Sequence, residues 1–109
     1  MTKERYYYHA TDMRNLGSIL SEGLKTGPDG IVYLTDTPQN ALNFVMLRMV
    51  PEILVVAVKE SSLDKELLKE SFDHSQEFFK CRAWGYMGSI ESDILENYRK
   101  YINPLTTME

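Results

Sequence analysis

Apolar positions along the chain follow two rhythms, and the alternation between them sketches the fold. Residues 5–9, "RYYYH", are aromatic and read as a strand, because tyrosine suits a pleated surface. Thr11 and Asp12 offer N-cap side chains, and Leu16, Ile19 and Leu20 then recur at three- and four-residue steps, the period of an amphipathic helix. Gly23 stands where a helix-ending glycine belongs, with Leu24 placed to fold back on the last turn. The turn formers of "KTGPDG" precede a β-branched and aromatic strand, "IVYLTD". Thr37-Pro38 then reads as the N-cap and first residue of a second helix. Its buried side is expected from Ala41, Leu42, Phe44, Val45 and Leu47 to Met49, and Pro51 is expected to stop it.

The most apolar segment, "EILVVAVKE", predicts the central strand. Ser62 is placed to cap a short helix running through Leu67 and Leu68, and residues 71–76 read as a loop. "EFFKCRAWGYMG" predicts a strand or bent hairpin, "SIESDIL" a helical turn, and "NYRKYIN" a last strand. Strands interleaved with helices also suit a doubly wound parallel sheet. The short aromatic strands and the strand-rich C-terminal half favour α+β. No repeat, low-complexity tract or linker divides residues 1–109, so one domain is expected.

Composition narrows the function. The net charge is −4 with no basic cluster, which disfavours tight binding along a nucleic-acid backbone. Cys81 is the only cysteine, so no intrachain disulfide forms, and no Cys/His spacing suits zinc. The N-terminal "MTKER" has no apolar signal-peptide core, and the longest apolar run is too short to span a bilayer. A reducing, cytoplasmic setting is the expectation.

Several residues invite a chemical reading. Alternation puts Arg5, Tyr7 and His9 on one face of the first strand, with Tyr6 and Tyr8 on the other, so Tyr7 is the tyrosine best placed to wall a site. Tyr33 alternates with Val32 and Leu34 and faces away from both. Arg14 and Asn15, in the first turn of the first helix, are placed to meet a pyrophosphate. Lys80 and Arg82 share a face around Cys81 and form a candidate phosphate clamp. Cys81 itself reads as a small buried residue, His74 as a loop residue, and Trp84 as a core plug.

Taken in order, "YHAT" closing a strand, "SILSEGL" closing a helix, the strand-helix unit "IVYLTDTPQNAL" and an aromatic strand running into "GSIESDIL" resemble the ADP-ribosyltransferase-like fold. The pattern is most similar to the catalytic lobe of RNA 2′-phosphotransferases and to DarT-type DNA ADP-ribosyltransferases. It covers about residues 6–95 and is strongest over 6–42.

The resemblance implies a small split β-sheet with two or three helices and a cleft between its halves, using NAD as substrate. It implies that His9 hydrogen-bonds a ribose, with Thr11 beside it, and that Tyr33 packs on the nicotinamide side. It also implies a carboxylate on a later strand to stabilise an oxocarbenium-like sugar. That position falls near Ala83 or Trp84, and Glu77 is the nearest carboxylate upstream.

The function expected is ADP-ribose transfer to an unknown acceptor, as in a toxin or a phage effector. Two alternatives stand beside it. One is a non-catalytic relative that binds a nucleotide or a protein. The other is RNA 2′-phosphate transfer, against which the acidic balance weighs.

Overall fold

The computed structural model describes residues 4–71 and 83–106. The chain builds an α+β fold around one antiparallel sheet. Its strands are β1 (Tyr6–Asp12), β2 (Val32–Thr35), β3 (Glu52–Lys59), β4 (Leu68–Ser71), β5 (Ala83–Tyr86) and β6 (Leu95–Ile102), in the spatial order β4-β5-β2-β1-β3-β6. Helix α1 (Leu16–Glu22) follows β1, and α2 (Pro38–Met46) follows β2.

The sheet is two half-sheets joined by a narrow seam. Seven residue pairs knit β1 to β3, and four knit β2 to β5, but β1 meets β2 at the single pair Tyr8↔Thr35. Continued in that register, Ala10 would lie opposite Tyr33; the strands part before reaching it. A split follows, with β4-β5-β2 on one side and β1-β3-β6 on the other.

Side-chain alternation separates two cores. Leu54, Val56 and Val58 of β3 join Tyr7, Val32, Leu34 and Trp84 on one face, against Ile19 of α1. Ile53 and Val55 face the other way and pack under Leu42 and Val45 of α2. Covered on both faces, β3 can be apolar at every position from Ile53 to Val58, all buried. Each isoleucine, leucine or valine among them contributes roughly 1.5–3 kcal/mol when withdrawn from water.

Local signals explain the element ends. Asp12 accepts from the Arg14 backbone N–H at 3.0 Å and starts a 3₁₀ turn, Met13–Asn15, that leads into α1. Gly23, at φ 78°, ends α1 with its N–H bonded to the Ile19 carbonyl at 2.8 Å. Thr37 caps α2 by accepting from the Asn40 N–H at 3.1 Å, with Pro38 at the first turn. "SIESDIL" contains the 3₁₀ turn Ser92–Ile94.

Three expectations need correction. The segment after Ser62 is not a helix: a 3₁₀ turn, Glu60–Ser62, drops Leu63 into the core, and residues 68–71 become edge strand β4. Pairing with β5, reinforced by the Met87 N–H to Leu67 carbonyl bond at 2.8 Å, outweighs the local helical signal. The strand β3 is interior but lies between β1 and β6, so β1 and β2 are the middle pair. Helix α2 ends at Met46, well before Pro51, and Leu47 and Met49 are exposed. The cause is Asn103, fully buried, whose side-chain amide donates to the Met46 and Val50 carbonyls at 3.0 Å each and fixes the turn between them. Among the described residues no helix is long and apolar enough to cross a membrane.

Candidate functional site

His9 sits at the split. It follows Tyr8, the last β1 residue bridged to β2. Its Nδ1 lies 2.8 Å from the Tyr33 carbonyl oxygen. A carbonyl only accepts, so Nδ1 carries the proton and donates, and in the neutral ring Nε2 is left as an acceptor. The imidazole thus takes a carbonyl that a continued ladder would have given to the backbone of β1, and it spans the gap between the half-sheets.

Burial among protein atoms is the main influence on this ring and pushes its pKa below the ordinary histidine value. The bond to the Tyr33 carbonyl acts the other way, and the Arg48 guanidinium adds to the lowering. His9 is therefore neutral at physiological pH, and its tautomer is fixed by its partner.

This state has a measurable consequence. The unfolded chain takes up a proton on His9 as pH falls through about 6.5, while the folded chain resists it. Stability is therefore expected to decline as pH drops from about 7 toward 5.5. Urea midpoints of the protein and of His9→Gln, compared across that window, check this. The decline should be shallower in the variant, and parallel curves would contradict the protonation state assigned here.

A hollow of about 180 Å³ opens beside the ring, lined by His9, Thr11, Asn15, Ser18, Glu22 and Lys25 among others. Its walls are already tied together. Asn15 Nδ2 donates to Thr11 Oγ1 at 2.8 Å, Ser18 Oγ donates to the Asn15 carbonyl at 3.0 Å, and Lys25 pairs with Glu22 at 3.1 Å. Gly23 and Leu24 close one end. Drug-sized ligands occupy pockets of roughly 300–1,000 Å³, so this hollow matches a sugar or a nicotinamide ring rather than a whole dinucleotide.

The residues singled out from sequence fare differently. His9, Thr11 and Asn15 come together. Tyr7 does not line the hollow: it is 1% exposed in the core, and its hydroxyl donates to Glu60 Oε2 at 2.7 Å. Burial first, and then that bond, push its pKa up to about 12. Tyr33 gives the site its backbone carbonyl. Its ring leaves the opposite face from Val32 and Leu34, is 43% exposed, and donates from its hydroxyl to Asp29 at 2.6 Å. That bond is the main cause of a lowered Asp29 pKa.

Arg14 turns away from the hollow. It closes on Asp12 with Nε and Nη2 at 3.1 and 2.8 Å from the same carboxylate oxygen, beside a separate open recess with Met13, Pro51 and Glu52. Glu77, Lys80, Cys81, Arg82 and His74 lie outside the described residues. Trp84 is a core residue, 5% exposed.

Ser18, Glu22, Lys25 and Arg48 were not anticipated. Asn15, Ser18 and Glu22 share one helical stripe, at steps of three and four, and that spacing was the available signal. Nothing local marks Arg48. Among the described residues no cluster of three or more His, Cys, Asp or Glu side chains is arranged for a metal. Compared with models of known protein families and with curated proteins, the chain matches none.

Proposed function

We propose that the protein is an ADP-ribosyltransferase-like domain that binds NAD, or an ADP-ribose-containing group, at the split and transfers ADP-ribose to an acceptor. The observation that carries this reading is the His9 ring. It is neutral, held in one tautomer by the Tyr33 carbonyl, and set beside a sugar-sized hollow at the parting of two half-sheets. Such a ring presents an acceptor lone pair to a ribose hydroxyl without a charge to desolvate.

In the reaction, the bond between the ribose anomeric carbon and the nicotinamide nitrogen breaks, and its electron pair leaves with neutral nicotinamide. The acceptor attacks the same carbon from the opposite side and gives up its proton. His9 orients the ribose, the Tyr33 carbonyl holds the His9 ring in place while the Tyr33 ring points to the other face, away from the nicotinamide position the resemblance implied, and Glu77 supplies negative charge to the oxocarbenium-like sugar.

The test is incubation with NAD and chromatographic measurement of free nicotinamide. Release is expected from the protein and is expected to fall about 5- to 150-fold in His9→Ala, the effect of losing one hydrogen bond of about 1–3 kcal/mol. It should also fall in Glu77→Gln. Release by the His9 variant at the full rate would overturn the assignment.

A second reading, a binder without turnover, draws on the hollow's size and on Glu22 being already paired with Lys25. Saturable ADP-ribose binding without nicotinamide release marks it.

A further inference from the structure

The opposite face of the sheet carries a second hollow with a different character. It measures about 210 Å³ and is lined by Tyr8, Pro38, Val55, Asn97, Arg99 and Tyr101. Register explains the grouping. Val55 pairs with Arg99 and Ile53 with Tyr101 across β3 and β6, while Tyr8 pairs with Ala57 across β1 and β3. Tyr8, Val55 and Tyr101 belong to the core under α2, so these side chains stand on its face, away from His9. Val55 supplies an apolar floor.

The β6 backbone departs from regularity here. The register between β3 and β6 shifts between Val55 and Ala57, and within that bulge Asn97 takes φ 55°. A bulge re-aims the side chains around it, and a left-handed non-glycine residue is uncommon enough to warrant a reason. Asparagine tolerates this conformation better than most residues do.

Among the described residues, Arg99 makes no ion pair, and the Tyr8 and Tyr101 hydroxyls and the Asn97 amide make no hydrogen bond. The hollow beside His9 is the reverse, with Asn15, Thr11, Ser18, Glu22 and Lys25 bonded to one another. A guanidinium, two phenols and a carboxamide around an apolar floor suit a flat ring bearing an anionic group. The phenols supply aromatic surface, the guanidinium forks onto phosphate oxygens, and the amide reads a polar edge. Pro38 brings the first turn of α2, the positive end of its dipole, to the rim.

We propose that the hollow formed by Tyr8, Val55, Asn97, Arg99 and Tyr101 is a binding site for a nucleoside monophosphate or the 5′-phosphorylated end of a nucleotide. It lies on the opposite face of the sheet from His9, so it does not depend on the ADP-ribose reading.

The test is calorimetric titration of the full chain with adenosine monophosphate, adenosine and inorganic phosphate, using the protein, Arg99→Gln, Tyr101→Ala and His9→Ala. Arg99 is exposed, so its variant should fold, as circular dichroism will confirm. Saturable binding of the monophosphate is expected, at least about tenfold tighter than that of adenosine or phosphate alone. It should weaken about tenfold in Arg99→Gln and in Tyr101→Ala, and be unchanged in His9→Ala. No saturable binding at millimolar ligand, or binding indifferent to Arg99→Gln, overturns the proposal. Binding lost in His9→Ala but kept in Arg99→Gln assigns the ligand to the His9 hollow and also overturns it.

Discussion

Gly23→Ala is expected to destabilise the fold by about 2–6 kcal/mol, combining backbone strain of roughly 1–3 kcal/mol with a clash of similar size. Gly23 sits at φ 78°, ψ −164°, a region that is essentially glycine-only. A Cβ there would lie 2.1 Å from the Ile90 carbonyl oxygen and 2.8 Å from the Ser92 nitrogen. Both neighbours are backbone, so no side chain can rotate out of the way.

The same contact holds the reciprocal bonds between Leu24 and Ile90, at 2.8 Å each, that tie the end of α1 to the segment before β6. Leu24 and Ile90 are both buried, so forcing them apart opens the main core. Gly23 and Leu24 also close one end of the His9 hollow. Urea denaturation followed by circular dichroism measures the loss. A change below about 1 kcal/mol would show that the α1 terminus can shift and that the close approach is not required.

Trp84→Ala is expected to remove about 3–5 kcal/mol, the usual consequence of emptying a large aromatic site in a core. Trp84 is on β5, in one half-sheet, and meets Tyr7 on β1, in the other, with ring centroids 5.0 Å apart and planes at 62°. The edge-to-face pair adds roughly 0.5–1.5 kcal/mol beyond its buried area. The Arg5 guanidinium lies over both rings, at 5.4 and 5.8 Å.

Backbone pairing between the half-sheets is a single residue pair, so this aromatic contact does much of the joining. Trp84→Ala should therefore loosen the split as well as lower stability, weakening any ligand held beside His9. Trp84→Phe should recover most of both. Equal stability of the protein and the alanine variant would mean that the halves are held elsewhere.

Much of this architecture was legible in the residues. Caps and breakers are local, so Asp12, Gly23 and Thr37-Pro38 announced their turns without tertiary help. The unbroken apolar run of β3 announced a strand, although one set beside the middle pair rather than at the centre. The alternation of Tyr7 and Tyr8 between opposite faces held, because period-two geometry follows from the pleat.

What failed depended on distant partners. The helix expected after Ser62 was overruled by β5, and the length of α2 was set by Asn103, 57 positions beyond Met46. Tyr7 and His9 share a face, yet only His9 reaches the hollow. Which of the two lies over Trp84 depends on the pairing of strands far apart in sequence. Asn97 and Arg99 gave no local sign of the second hollow, which depends on the pairing of β6 with β3 and on the bulge between them.

The most direct test is nitrogen-detected NMR of the His9 ring during titration with ADP-ribose. The Nδ1-protonated neutral tautomer is expected before ligand is added, with a saturable change at Nε2 as the ribose hydroxyl engages it. A ring protonated at Nε2 or on both nitrogens at neutral pH, or one that saturating ADP-ribose leaves unmoved, would contradict a ribose-orienting His9.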